Sequence, residues 1–94
     1  MANYSILYWQ DIPSVVEAKD ENGVHKLELE PKFQALIDLV AMRKGLAGTD
    51  AYLEEWRRGK RLAREGTAED VANAVKAELE AEFLKIRAAA LGKD

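Results

Sequence analysis

The sequence contains no cysteine, two prolines and one histidine among its 94 residues. Without thiols the chain has no disulfide, no thiolate metal site and no cysteine nucleophile, so its stability depends on a packed core. The chain also lacks the basic start and apolar run of a secretory signal, and it has no run of about 18 apolar residues to span a membrane. These absences predict a cytoplasmic location.

Charge of either sign is not in large excess, since the formal net charge is -3. Such a chain has no general attraction to phosphate backbones, so nucleic acid is an unfavoured partner. The composition, 48% hydrophobic and 33% charged, is typical of a folded globular protein. At this length it forms one core, and we expect a single domain over residues 1–94.

The first apolar segment, residues 4–11, alternates with a period of two and is rich in aromatic and β-branched side chains. This pattern predicts a strand, and large apolar groups on both sides favour a central strand or one covered on both faces. Tyr4, Tyr8 and Trp9 have two interpretations. They either pack in the core, as large aromatics commonly do, or form an exposed partner surface.

A β-hairpin is predicted over residues 14–30, after Ile12-Pro13 ends the first strand. Asn22-Gly23 is a strong signal for a two-residue turn. The register that follows pairs Glu21 with Val24, Asp20 with His25, Ala18 with Leu27 and Val16 with Leu29. It places Val16, Ala18, Leu27 and Leu29 on one face and the charged residues Glu17, Lys19, Lys26 and Glu28 on the other, where opposite charges can pair.

His25 is interpreted as a strand-end histidine that hydrogen-bonds Asp20. A general base or metal ligand would need further acidic, nucleophilic or imidazole partners, which the sequence does not supply nearby. We therefore predict no metal site.

Three helices are predicted in the second half of the chain. The first begins at Pro31 and ends at Gly45, because proline suits the first helical position and glycine the left-handed cap. Its apolar stripe is Phe33, Leu36, Ile37, Val40 and Ala41. The second begins at Thr49 or Asp50 and turns Tyr52, Leu53 and Trp56 towards the core. The third begins at Thr67, in a variant capping box, with the stripe Val71, Ala74, Val75, Leu79, Phe83 and Ile86 running towards Ala90.

The expected fold is α+β, with a small antiparallel sheet of about three strands, including the 14–30 hairpin, packed against three helices.

A basic run following Trp56 is the most suggestive local feature. On a helix these side chains spread around the circumference, which is typical of a solvated face with ion pairs. The alternatives are a docking site for an acidic protein surface and, less favoured, a nucleic-acid site, since no aromatic residues alternate with the arginines. Packing of the first two helices brings further cations near the run. The candidate partner-binding residues are therefore Arg43, Lys44, Arg57, Arg58, Lys60, Arg61 and Arg64.

Acidic residues of the last helix, Glu78, Glu80 and Glu82, favour a solubilising surface over acid–base catalysis. The sequence also lacks a phosphate-binding glycine loop and a nucleophile-elbow serine. We predict no catalytic residues and no cofactor, and the chain leans away from being an enzyme.

Three segments together resemble a family of small bacterial proteins labelled "virulence factor". They are Tyr8-Trp9-Gln10-Asp11-Ile12-Pro13, the segment from Ala41-Met42-Arg43-Lys44-Gly45-Leu46 to Leu53 with Trp56, and Thr67-Ala68-Glu69-Asp70-Val71-Ala72. The resemblance covers nearly the whole chain, and a similar domain is found in conserved virulence factor C proteins. In those longer relatives the domain accompanies an Nfu-type N-terminal domain and helical repeats. No catalytic residues are carried over, because none are established for the family.

The resemblance also implies an association with tetrahydrofolate and corrinoid one-carbon enzymes, near which free-standing members are encoded. Our first hypothesis is a non-catalytic accessory or adaptor domain that binds another protein, which the resemblance implies is a one-carbon methyl-transfer enzyme. A second is a small ligand-binding or catalytic subunit acting on a folate or corrinoid substrate. The third is a weak nucleic-acid-binding domain.

Overall fold

The sheet is organised around its first strand, which has neighbours on both sides. The computed structural model describes residues 1–92, which form five strands and four helices. The strands are β1 (Ala2–Trp9), β2 (Ile12–Asp20), β3 (Gly23–Glu28), β4 (Trp56–Arg58) and β5 (Leu62–Arg64). The helices are α1 (Pro31–Arg43), α2 (Asp50–Glu54), α3 (Ala68–Ala81) and α4 (Phe83–Gly92). The order across the sheet is β3-β2-β1-β4, and all pairs are antiparallel.

The α+β class is confirmed, but the expectation of about three strands and three helices is wrong within the described residues. The two additional strands, β4 and β5, both pair with β1, at opposite ends of the same edge. They act as one edge strand that is interrupted between Arg58 and Leu62. The additional helix arises because the predicted last helix ends at Ala81, and the backbone leaves the helical conformation at Glu82 before Phe83 starts α4.

The second predicted helix is much shorter than the sequence suggests. Of the two predicted N-caps, Thr49 and Asp50, the structure has Thr49, whose hydroxyl accepts a hydrogen bond from the Tyr52 N–H. The helix ends at Glu54, and Trp56 then pairs with Trp9 of β1. The free edge of β1 offers hydrogen-bonding partners to this segment, and that tertiary pairing outweighs a weak local helix preference. The basic run therefore lies on two short strands and the loop between them, and not on a helix.

The hairpin is confirmed, but its register and turn differ from the prediction. Val16 pairs with Leu27 and Ala18 with His25, and Glu21 and Asn22 form the turn. The shift relative to the expected register is two residues, so Val16 and Leu27 remain on the buried face. The predicted bond between His25 and Asp20 is not formed. The Asp20 carboxylate instead accepts hydrogen bonds from the main-chain N–H groups of Asn22 and Ala68.

Proline does not end the first strand's ladder as expected. Pro13 lies within β2 opposite Tyr8, next to an irregularity in the pairing of Leu7 and Tyr8. A bulge is one of the few places where a strand tolerates proline, because its missing N–H then removes no ladder bond.

Helix α1 follows the sequence prediction closely. The five residues of its predicted stripe are all buried, and Arg43 lies in its last turn. Gly45 has a φ of 70°, and the N–H groups of Leu46 and Gly45 donate to the carbonyls of Ala41 and Met42. These two bonds form the Schellman cap that ends the helix.

The core lies between one face of the sheet and the helices. Trp9, Ile12 and Val16 are fully buried with the stripe of α1 and with Val71 and Val75 of α3. The Phe83 ring of α4 contacts Phe33 edge to face, with centroids 5.0 Å apart. Leu53, predicted to be in the core, is 64% exposed, because α2 turns it outwards.

The other sheet face is partly exposed to solvent. We name it the open face, and its members are residues that alternate with the core positions: Ser5, Leu7, Val15, Glu17, Lys26, Glu28 and Arg58. Of the four charged residues predicted for this side of the hairpin, Glu17, Lys26 and Glu28 lie there.

Candidate functional site

Strand β4 divides the predicted basic surface between the two sides of the sheet. Arg57 pairs with Tyr8 of β1, and its guanidinium lies 4.8 Å from the centre of the Tyr8 ring. Its neighbour Arg58 points to the open face, where it donates a 3.0 Å hydrogen bond to the Ser5 hydroxyl. Because successive side chains of a strand alternate, the two arginines belong to different surfaces.

Three cations converge on the carboxylate of Glu17 on the open face. The guanidinium of Arg58 lies 3.3 Å from this carboxylate, that of Arg61 3.4 Å, and the Lys26 ammonium 3.5 Å. The Glu17 side chain is 17% exposed. Its partial burial acts to raise its pKa, but the neighbouring cations outweigh that effect and lower the pKa below its ordinary value. The carboxylate is therefore fully ionised at neutral pH.

Arg58 also covers the sheet beneath it. Ser5 is only 1% exposed although it belongs to the open face, and its hydroxyl is bonded by Arg58. Leu7 and Val15 are the apolar residues lining a depression of about 460 Å³, which Lys26 and Glu28 also line. The open face is thus a partly apolar surface with two cations, Lys26 and Arg58, and two carboxylates, Glu17 and Glu28. Arg61, from the loop between β4 and β5, adds a third cation beside Glu17.

A second concave surface lies beside the interrupted edge strand, and we name it the edge groove. Its volume is about 460 Å³, and its lining residues are Tyr4, Ile6, Tyr8, Asp11, Arg57, Gly59, Lys60 and Leu62. Tyr4 and Ile6 also pack against the core. Of the three aromatic residues predicted for β1, Trp9 is fully buried, whereas Tyr4 and Tyr8 are half-buried and face this groove. The core-packing interpretation is therefore right for Trp9, and the partner-surface interpretation of Tyr4 and Tyr8 stays a prediction.

Gly59 shapes the wall of the edge groove. Its N–H donates a 2.8 Å hydrogen bond to the Ile6 carbonyl, which continues the pairing with β1. A Cβ atom at this position would lie 2.9 Å from Cε2 of Tyr8 and 3.3 Å from the Ile6 oxygen. The absence of a side chain lets the Tyr8 ring lie directly against the edge strand.

The cations of the edge groove are weakly neutralised. Arg57 donates to Asp11 at 3.2 Å, and both side chains are more than half exposed. Lys60 forms no ion pair with any of residues 1–92. Burial raises the pKa of Tyr8 despite the opposing charge of Arg57, so its hydroxyl is a neutral hydrogen-bond donor at physiological pH.

The other predicted cations lie elsewhere. Lys44 donates to the Gln10 side chain, close to the turn that holds Asp11. Arg64 binds Glu78 of α3 through two hydrogen bonds of 3.1 and 2.6 Å, and this pairing lowers the pKa of Glu78. Arg43 is exposed in the last turn of α1. The structure thus brings together two separate pairs of the seven candidates: Arg58 with Arg61, and Arg57 with Lys60.

Glu17, Lys26 and Ser5 were not among the candidate residues. The sequence held a signal for the first two, because strand alternation placed opposite charges on one side of the hairpin. It held none for Ser5, whose contact depends on the unpredicted β4.

Two of the three acidic residues singled out in the sequence, Glu78 and Glu80, have structural partners. Glu80 binds Lys76 at 2.8 Å and accepts a 3.0 Å hydrogen bond from the Glu30 N–H. Within residues 1–92, no group of three or more histidine, cysteine, aspartate or glutamate side chains is arranged to hold a metal ion. No helix in this part of the chain is long and apolar enough to cross a membrane.

The chain has no significant match among curated proteins or among solved structures. The model of the virulence factor family matches residues 7–91, which include β1 from Leu7 onward, the Schellman corner and all of α3. The match therefore spans both surfaces described above, apart from Tyr4, Ser5 and Ile6. By this match over most of its length, the chain belongs to the virulence factor family.

Proposed function

We propose that this protein is a non-catalytic accessory domain that binds an acidic surface of another protein through its open face. The observation that carries the proposal is the convergence of Arg58, Arg61 and Lys26 on the single carboxylate of Glu17. Three cations face the two carboxylates of this surface, Glu17 and Glu28, so a net positive charge remains available to a partner. Leu7 and Val15 add apolar area that a partner can bury.

The side chains and charge of this surface favour a protein over a nucleic acid as the partner. The apolar groups lining its depression are aliphatic, whereas single-stranded nucleic acid binds by stacking on aromatic side chains. The net charge of -3 also opposes general binding to phosphate backbones. Binding to a carboxylate-rich protein surface requires neither aromatic stacking nor a positive net charge on this chain, because local charge complementarity is sufficient. Because the resemblance is to proteins encoded near one-carbon enzymes, a methyl-transfer enzyme is the first partner to test. The proposed binding takes place in the cytoplasm.

The test is site-specific photo-crosslinking in the native host. A photoreactive amino acid replaces Glu28 at the rim of the open face or, as the control, Met42, which is 68% exposed on α1. We expect one discrete protein adduct from position 28 and not from position 42, and mass spectrometry identifies it. The purified partner should then bind the wild-type chain with an affinity that falls as salt increases.

Charge reversal provides the matched control. The double variant K26E/R61E removes the adduct, while K60E/K85E, which changes the net charge by the same amount, retains it. Circular dichroism verifies that both variants are folded. The same adduct from both crosslinker positions, equal loss in both double variants, or an adduct removed by nuclease would each overturn the proposal.

A further inference from the structure

We infer that the edge groove is a separate binding site for a small molecule with a flat aromatic body and one anionic group, either a carboxylate or a phosphate. This site lies on the opposite side of the sheet from the open face. Its residues make no contact with the Glu17 cluster among the interactions described. The inference is therefore independent of the proposed protein partner.

The floor of the edge groove suits a flat apolar body. The half-buried rings of Tyr4 and Tyr8 flank Ile6 on one strand, and Leu62, which is 49% exposed, faces them from β5. A flat ligand that covers these solvent-exposed apolar side chains removes them from contact with water, which favours binding. The volume of about 460 Å³ lies within the usual range for small-molecule sites.

Two cations at one side of the floor provide the anion-binding element. The Arg57 guanidinium is held over the Tyr8 ring, which fixes its position, and its present partner is the exposed carboxylate of Asp11. Lys60 has no ion-pair partner among the described residues. An incoming anion can therefore bind the free ammonium and share the guanidinium without leaving a buried charge unpaired.

The interruption of the edge strand explains why a groove exists here. Strand β4 ends at Arg58 and β5 begins at Leu62, and Gly59 between them lets the Tyr8 ring approach the main chain. A continuous edge strand with ordinary side chains would fill this space. The glycine and the unpaired lysine are two independent observations that converge on the same surface.

The first experiment uses 8-anilinonaphthalene-1-sulfonate, a flat aromatic monoanion, as a fluorescent probe of the folded chain. We expect saturable binding that weakens with salt, and weaker binding of the uncharged 1-anilinonaphthalene. The variant R57Q/K60Q should weaken probe binding by about tenfold, because it removes both charge-assisted contacts. The matched variant K26Q/R61Q loses the same charge from the open face and should bind within about twofold of wild type.

The second experiment locates the probe. In an amide chemical-shift titration, the largest changes should occur at Tyr8, Gly59 and Leu62. Benzoate and phenyl phosphate, added separately, distinguish a carboxylate from a phosphate as the preferred anion, and displacement of the probe by either supports the site. No saturable binding up to about 1 mM probe, equal weakening in both double variants, or shifts that cluster on the open face or the helices would overturn the inference.

Discussion

The indole Nε1 of Trp9 donates a 2.9 Å hydrogen bond to the main-chain carbonyl of Tyr52, which joins the central strand to the short helix α2. The two rings also contact each other, with centroids 5.4 Å apart. Trp9 is fully buried, so its N–H has no access to water as an alternative partner. This contact fixes the position at which the chain leaves α2 and enters β4. Strand β4 carries one arginine of each binding surface, Arg57 of the edge groove and Arg58 of the open face.

Replacing Trp9 by phenylalanine should lower the free energy of unfolding by about 2–4 kcal/mol, because it removes this hydrogen bond and leaves a cavity. Urea unfolding followed by circular dichroism measures the loss. Tyr52→Phe is the control, since the indole bonds the main chain of Tyr52 and not its hydroxyl. A loss from Tyr52→Phe as large as that from Trp9→Phe would contradict this account of the contact.

Gly59→Ala should destabilise the fold by about 1–3 kcal/mol, because the new methyl group meets both the Tyr8 ring and the Ile6 carbonyl. The double variant Y8A/G59A removes the ring that the methyl group meets. In a double-mutant cycle we therefore expect a favourable coupling between the two substitutions. Gly92→Ala, where nothing lies within 4 Å, should leave stability nearly unchanged. Additive effects of the substitutions at Tyr8 and Gly59 would show that the two residues are not in close contact.

Elements whose signals are local could be predicted from the sequence. Helix α1 was predicted with its buried stripe, Thr67 was correctly identified as an N-cap, and Thr49 was one of the two N-caps predicted for α2. Gly45 was correctly identified as the left-handed residue of the cap. In each case the interacting groups lie within a few residues of one another, so periodicity and cap chemistry contain the necessary information.

Features that depend on distant pairing could not be predicted. In the hairpin, the face on which each residue lies was predicted correctly, but the cross-strand residue pairs were wrong. A register shift of two residues changes the pairs and preserves the faces. Strands β4 and β5 exist because β1 has a free edge, and nothing in the basic segment itself indicates that edge. The contacts of Arg58 and Arg61 with Glu17, and the edge groove around Gly59, both follow from that pairing and were therefore missed.

The Asp20 carboxylate should make stability depend on pH in the acid range. Hydrogen bonds from the N–H groups of Ala68 and Asn22 lower the pKa of Asp20 in the folded chain. A group with a lowered folded-state pKa stabilises the fold above its unfolded pKa, and this contribution is lost as the pH falls from about 4 through the folded value. As the pH is lowered through this window, the urea concentration at the unfolding midpoint should decrease for wild type, and it should decrease less steeply for Asp20→Asn. Glu21→Gln, which removes a neighbouring carboxylate, should keep the wild-type slope; an equal flattening there would exclude Asp20 as the cause.

Glu17→Gln should change stability and partner binding in opposite directions. Without the carboxylate, Arg58, Arg61 and Lys26 repel one another, so the free energy of unfolding should fall by about 1 kcal/mol at low salt and recover in part at high salt. The same change increases the positive charge of the open face, so an acidic partner should bind more tightly and associate faster. Urea unfolding and binding kinetics at two salt concentrations measure both effects. The conservative variant Glu17→Asp retains the charge and should show neither the salt-dependent loss nor the gain. Weaker binding by Glu17→Gln while the chain remains folded would mean that the carboxylate itself contacts the partner, and the acidic-surface proposal would then be wrong.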